Sequence, residues 1–421
     1  MVGVISVEDH LAKVTALLSR PPGVELPLAD CAGKVLVADV HAGVSLPPFD
    51  NSAMDGFAVR SVDVVGASSD EPVELPVVAD IPAGRTDVPA LLPGTAHRIM
   101  TGAAMPSGAD SVVPVERTEG SGWPGSDPGT EPVVRVLAGA DPGAHVRRTG
   151  EDVASGSLAL AGGTLLGAAH LGLAAAVGLD RLTVHAAPRV LVVSTGSELV
   201  LPPEPLRHGQ IYESNSVMLT AALRGLGCEV ETVRSVADDV ETFRGAIEPR
   251  LATTDLVVTS GGVSAGAYEV VKDALTGVGV EFAKVGMQPG GPQGCGRWNG
   301  VPVVTLPGNP VAVLVSFEVF LRPALRAVLG HEQVQRTKVA ARLTETLTSP
   351  SGKRQYRRGY YTPPGNAESG PAAQVTGVVG PRGGPGSHLL AAFTQANCLI
   401  VLPEDVTEAA AGTEAEVLLL G

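Results

Sequence analysis

The sequence predicts a multidomain α/β protein built around a parallel sheet, and three observations carry that expectation. The runs 189–194 (RVLVVS), 255–259 (DLVVT) and 301–306 (VPVVTL) are continuously apolar, and each ends on a Gly-containing turn with Ser, Thr or Asn. Helical patterns follow at 215–226, 268–275 and 311–321. A strand buried on both faces reads as an uninterrupted apolar run, and strands alternating with helices give crossover connections and parallel pairing. The chain has 421 residues, enough for about three domains.

The flanking elements read as follows. Residues 6–19 form a helix, because Ser6 and Asp9 have capping-box-like spacing and Leu11, Val14, Leu17 and Leu18 share a face. Residues 42–144 are rich in Pro, Gly and short Val-containing runs, which suggests β structure, with a loop at 120–130 (GSGWPGSDPGT). The most apolar stretch, 165–179, contains His170 and three glycines and is too short to span a bilayer. It reads as a buried helix. After Gly330, runs at 339–347, 355–361, 374–379, 398–402 and 415–420 read as short strands of a small all-β domain. No internal repeat or heptad pattern is present.

A net charge of -14 argues against nucleic acid as the main partner, since phosphate backbones need clustered Lys and Arg. An anionic small ligand stays compatible, because backbone N–H groups and local cations can bind it on a negative protein. Cys31, Cys228, Cys295 and Cys398 form no CxxC pair, so neither a zinc site nor a disulfide framework is expected. Glu8 and Asp9 stand where a secretory leader would be basic and then apolar. A cytoplasmic protein with no membrane span is expected.

Three groups of residues could carry chemistry. The turns after the apolar runs offer Ser194, Thr195 and Gly196, then Ser260, Gly261, Gly262 and Ser264, then Pro307, Gly308 and Asn309. Ligands of parallel sheets sit beyond the carboxyl ends of the strands, where such turns present N–H groups to an anion. Glycines that only make tight turns remain the alternative, and no turn matches a P-loop or a dinucleotide fingerprint. The carboxylates Asp50, Asp55, Glu151, Asp152, Glu198, Asp238 and Asp239 suit Mg²⁺ held together with phosphate, or else are solvated loop residues and helix caps. Arg147, Arg148, Lys284 and Arg358 could clamp phosphate or a tetrahedral oxyanion; ordinary ion pairs are the better reading for Arg354 and Arg357.

Longer strings go further. The segments 48–60 (PFDNSAMDGFAVR), 98–110 (RIMTGAAMPSGAD) and 147–153 (RRTGEDV) resemble the molybdopterin molybdenumtransferase (MoeA) family. So do 194–199 (STGSEL), 209–215 (GQIYESN), 260–266 (SGGVSAG) and 306–312 (LPGNPVA), in order along nearly the whole chain. The resemblance implies four domains: a split N-terminal domain (1–46 and 143–186), an inserted β-rich domain (47–142), the α/β molybdopterin-binding domain (187–329) and a C-terminal small β-barrel (330–421). It implies a homodimer that takes adenylylated molybdopterin and molybdate, uses Mg²⁺, and yields molybdenum cofactor and AMP. Other cofactor-biosynthesis proteins or molybdoenzyme chaperones would be further partners.

Carried over by motif, Asp55, Thr101 and Asp152 would reach the partner subunit's site. Glu198, Asp238 and Glu269 would hold metal and substrate, Lys284 would face pyrophosphate or pterin, and Arg358 and Ser387 would complete the site from the barrel. The chain also departs from the family pattern. Ser197 stands where an Asp is common, Glu269 where an Asp is common, and 287–292 (MQPGGP) lacks two lysines of a KPGKP segment. Arg297 is a candidate to replace that charge. Two other functions compete: a non-catalytic pterin-binding paralogue that delivers cofactor, and a stand-alone pterin adenylyltransferase, which the N-terminal motifs and the barrel disfavour.

Overall fold

The computed structural model describes residues 3–120, 132–236, 239–263, 269–364 and 376–421. It divides into two compact units: Met1–Glu25, Gly33–Val37 and Thr183–Gly421 in one, Leu26–Ala32 and Ala38–Leu182 in the other.

The first unit is organised by a seven-stranded sheet. Its strands run in the order Val4–Ile5, Val280–Val285, Pro292–Trp298, Val301–Leu306, Leu256–Ser260, Arg189–Thr195 and Glu229–Val236. The last four are mutually parallel. Pro292–Trp298 is antiparallel to both neighbours. The continuous apolar runs follow from burial on both faces. Val190, Val192, Val258 and Val304 pack with Leu219, Leu223 and Leu321 on one side. Leu191, Val193, Val257 and Val303 pack with Phe243, Ile247, Leu275 and Trp298 on the other.

The first helix is Val7–Leu17, capped by Ser6, whose hydroxyl accepts from the Asp9 N–H at 3.0 Å. The helix expected at 311–321 is longer. It starts at Pro310–Ser316, passes through a π-turn at Phe317–Leu321 and continues as Arg322–Val328. Pro323 lacks an N–H and its ring crowds the carbonyl four residues back, which explains the widened turn.

The C-terminal strands close into a barrel. Arg354–Thr362, Gly377–Pro381, Lys338–Leu343, Glu414–Leu419 and Cys398–Leu402 pair in that order, and the last returns to the first. Ala341, Leu343, Val379, Ile400 and Val417 fill it. The two-residue strand Met287–Gln288 adds to its rim, parallel to Arg354–Thr362. The expected strand at 374–379 falls partly outside the described residues; what is described begins at Gly377.

The second unit holds a six-stranded sheet: Ser111–Pro114, Gly56–Val59, Ala96–Ile99, Val73–Ile81, Val133–Val136 and Thr118–Glu119. Phe57, Val59, Leu75, Val77, Val113 and Val134 form its core. The loop expected at 120–130 lies, beyond Gly120, outside the described residues. The stretch 165–179 does contain a helix, Ala168–Ala176, but only Ala174 in it is buried, so the expectation of a buried helix is corrected. Most of its apolarity comes from alanines, whose single methyl groups need little cover, while Leu171 and Leu173 are partly buried.

Among the described residues no helix is long and apolar enough to cross a membrane. All four cysteines are free and buried.

His10 makes the first unit sensitive to acid. Its ring is 1% exposed, stands edge-on to Phe320 at 4.7 Å, and neither ring nitrogen has a hydrogen-bond partner. Burial pushes its pKa down to about 4. Between an unfolded value near 6.5 and this folded value the unfolded chain binds the extra proton, so stability rises with pH across that window. Chemical denaturation should show up to about 3 kcal/mol lost on acidification from pH 6.5 to 4, and His10→Leu should flatten that slope. An unchanged slope in the variant would remove His10 as the cause.

Candidate functional site

A cleft of about 1020 Å³ opens in the first unit at the carboxyl ends of the central strands. Its floor is made by the turns that leave those strands. Arg189–Thr195 delivers Thr195 and Gly196, Leu256–Ser260 delivers Ser260, Gly261 and Gly262, and Val301–Leu306 delivers Pro307, Gly308 and Asn309. These backbones nearly touch. Gly261 has φ +91°, and a Cβ there would stand 2.8 Å from the Thr195 carbonyl oxygen. A Cβ on Gly308 would lie 3.5 Å from the Gly261 Cα. Only glycine allows both the left-handed conformation and the approach.

The floor carries polar groups without partners. Asn215 donates from Nδ2 to the Gly308 carbonyl at 2.7 Å. Asn215 Oδ1, Thr195 Oγ1 and Ser260 Oγ are buried and have no hydrogen-bond partner. A buried unsatisfied group costs about 1–3 kcal/mol, and all three belong to residues that line this one cleft.

Charged groups ring this floor. Glu198, Glu269 and Lys284 all line the cleft. Glu269 stands at the N-cap of the helix Val270–Leu275. Glu213 also lines the cleft, but its carboxylate accepts from the Ser216 N–H at 2.8 Å and hydroxyl at 2.5 Å, so it caps the helix Asn215–Arg224. The Glu198 and Glu269 carboxylates are hard oxygen donors of the kind Mg²⁺ takes alongside substrate oxygens, so the lining fits that ion. Asp238 and Ser264, expected at this site, lie outside the described residues. Among the described residues no three His, Cys, Asp or Glu cluster as a self-sufficient metal site.

The barrel contributes a wall. Ser387 lines the cleft, and its carbonyl accepts from the Val311 N–H at 3.2 Å, fastening the loop to the head of the helix Pro310–Ser316. Arg358 is not on the lining. It is 4% exposed, and its guanidinium donates to the carbonyls of Arg382, Gly384 and Gly386 behind the loop. Burial lowers its pKa from the ordinary arginine value, though a guanidinium keeps its charge. Ser194 is likewise fully buried in its strand beneath the floor.

Arg297 does not compensate for the lysines missing from 287–292. Its guanidinium donates to the carbonyls of Gly300 at 2.8 Å and Leu17 at 2.6 Å, and the residue is absent from the cleft lining. Tyr212, Lys353 and His388 line the cleft and were not singled out from the sequence. Lys353 and His388 come from the barrel, and no local pattern in the chain signals that approach.

In the second unit the three N-terminal motifs fold onto one another. Asn51 and Ser52 pair antiparallel with Arg147 and Val146. Asn51 also bridges to Ala104, and the Gly102 N–H donates to the Ser52 carbonyl at 2.8 Å. Asp50 clasps the layers, accepting from the Thr149 N–H at 2.8 Å, the Thr149 hydroxyl at 2.9 Å and Arg148 at 2.7 Å. Asp55 Oδ1 accepts from the Thr101 N–H at 2.7 Å and its hydroxyl at 2.8 Å. Those bonds, the backbone one foremost, hold the Asp55 carboxyl below its usual pKa. Asp152 is exposed, and its N–H donates to the Leu46 carbonyl at 3.0 Å.

A parallel-sheet domain with a glycine-floored polar cleft at its strand ends, a closed barrel and a β-rich N-terminal unit define a multidomain α/β protein. Residues 5–178 match the model of the MoeA N-terminal region (domain I and II), 191–327 a probable molybdopterin binding domain, and 340–420 the MoeA C-terminal region (domain IV). Molybdopterin molybdenumtransferase 2 of Mycobacterium tuberculosis is 50% identical over 98% of each chain. Molybdopterin molybdenumtransferase 1 of that organism is 37% identical over 99% of each. A crystal structure of a molybdopterin biosynthesis MoeA protein from Pyrococcus horikosii matches at TM-score 0.81 and 31% identity, covering 100% of both chains. The chain belongs to the MoeA family of molybdopterin-biosynthesis proteins.

Gly261→Ala tests the floor geometry. The added Cβ combines a left-handed φ with a contact below 3 Å to backbone, so unfolding free energy should fall by about 1–3 kcal/mol. A denaturation midpoint equal to wild type would show that the turns can separate without cost.

Proposed function

We propose that the chain is a molybdopterin molybdenumtransferase, which takes adenylylated molybdopterin and molybdate and yields molybdenum cofactor and AMP. The observation that carries this reading is the set of orphaned polar groups, Thr195, Ser260 and Asn215, on a glycine-rich floor flanked by Lys284, Glu198 and Glu269. Turn N–H groups and Lys284 would hold phosphate, and the orphaned groups would take up the polar edge of the pterin or the phosphate oxygens. Glu198 and Glu269 would hold Mg²⁺, with Asp238 as a third ligand. The ion, when bound, neutralises charge on the phosphoanhydride. Ser387 would close the cleft from the barrel, with Arg358 bracing its loop.

The reading includes a homodimer in which Asp55, Thr101 and Asp152 of one subunit serve the cleft of the other. It also includes a cytoplasmic location and the four-domain division at 46/47, 142/143, 186/187 and 329/330. A delivery paralogue without catalysis is the second reading. It is favoured by the neutral segment at Gln288 and Gly291, where Gln288 Oε1 accepts from Gln355 Nε2 at 3.0 Å instead of offering a cation.

Molybdate-dependent AMP release from adenylylated molybdopterin separates the two. Release is expected from the wild type, and its absence with intact ligand binding would favour the delivery paralogue. Asp55→Asn and Glu198→Gln change charge with little change in size, so each should lower release by about tenfold or more while the melting temperature holds. Normal turnover at limiting Mg²⁺ in either variant would remove its role.

The dimer reading is tested by mixing. Solution mass should equal two chains, and unfolded Asp55→Asn and Glu198→Gln chains refolded together should regain activity, because a mixed dimer holds one intact site. A fully active single chain, or no recovery in a mixture that dimerises, contradicts sites shared across subunits.

A further inference from the structure

We infer that Lys353, contributed by the barrel, is the cation that holds an anionic substrate group over the neutral Gln288–Gly291 side of the cleft. The inference rests on reading the cleft as a site for a phosphate-bearing ligand.

The strand register puts Lys353 there. Met287 and Gln288 pair in parallel with Arg354 and Gln355, and the Arg354 N–H donates to the Gly286 carbonyl at 2.9 Å. Lys353 immediately precedes that strand, and it lines the cleft together with Gln288, whose amide is held by Gln355. The cleft lining includes Gln288 and Lys353 but neither Arg354 nor Tyr356. Those two line a separate groove behind the strand. Arg354 is spent there on Glu8 and Glu404.

The charge balance of the cleft gives Lys353 its role. Among the described residues Glu198, Glu213 and Glu269 line the cleft against two lysines, Lys284 and Lys353. Lys353 is half-buried and has no ion-pair partner among the described residues, whereas Arg354 and Arg336 nearby are paired to carboxylates. A cation directed into a cleft with a surplus of carboxylates, and left without a protein partner, is placed to meet an anion. The adjacent loop cannot easily supply one itself. Gln288 is engaged by Gln355, and a Cβ on Gly291 would stand 3.3 Å from the Val285 carbonyl oxygen. Gly290 is held left-handed at φ +102°, its carbonyl accepting from Gln293 at 2.8 Å.

Calorimetric titration of the full chain with inorganic pyrophosphate, at two ionic strengths, tests this. Lys353→Gln should weaken binding by about tenfold or more and flatten its salt dependence, while Lys353→Arg stays within about threefold of wild type. Lys353→Gln combined with Gln288→Lys should recover part of the loss, because the new ammonium enters from the facing strand. Equal affinity in wild type and Lys353→Gln, or no pyrophosphate binding by wild type at low salt, overturns the assignment. The same samples assayed for AMP release keep the two readings apart. A wild type that binds pyrophosphate through Lys353 but releases no AMP sinks the transferase and leaves Lys353 as the anion contact.

Discussion

The close approach of the Gly261 backbone to the Thr195 carbonyl is the constraint on which the cleft depends. Parallel strands end level with one another, so the turns leaving them compete for the same space. A Cβ at position 261 would sit 2.8 Å from that oxygen, and any larger residue would prise the turns apart. With glycine the turns lie nearly in contact, and the space above them is lined by backbone and short polar side chains. Thr195 and Ser260 keep buried hydroxyls there without partners. Isolated in a folded core, such groups are a liability. Gathered on the floor of one cleft, they are groups that the proposed ligand would satisfy.

The walls depend on pairings distant in sequence. Ser387 reaches the cleft because its carbonyl is tied to the head of the helix Pro310–Ser316 and because Arg358 gathers the loop carbonyls behind it. Lys353 arrives because a two-residue strand, Met287–Gln288, adds to the barrel rim. The barrel is therefore part of the site's electrostatics as well as its shape. A chain of strongly negative charge can still bind an anion when its few cations are placed this way.

Much of this architecture was legible from local pattern. The three core strands read as continuous apolar runs because both faces of their sheet are covered, and the Ser6 cap followed from the spacing to Asp9. The floor residues were legible because they are the turns of those strands. Other features were not. Pro292–Trp298 is a buried strand with glycines where neighbouring backbone leaves no room: a Cβ on Gly296 would meet the Gly279 carbonyl oxygen at 2.1 Å. Tertiary crowding there overrides strand propensity. Arg358 looked like a ligand clamp, yet its direction was set by three loop carbonyls about twenty-five residues on. The helix Ala168–Ala176 misled because composition records apolarity without recording what covers it. Lys353 carries no local signal at all; only the pairing of Met287–Gln288 with the barrel strand that follows it brings it to the cleft.

The central claim is that the floor's orphaned hydroxyls exist for a ligand, and Ser260→Ala measures it most directly. Removing a buried, unpartnered hydroxyl should leave the free protein as stable as wild type or more so, while the thermal stabilisation given by added molybdopterin shrinks. A free protein destabilised by the loss of Ser260 Oγ, with ligand stabilisation unchanged, would mean that the hydroxyl serves the fold, and the account of the cleft would fail.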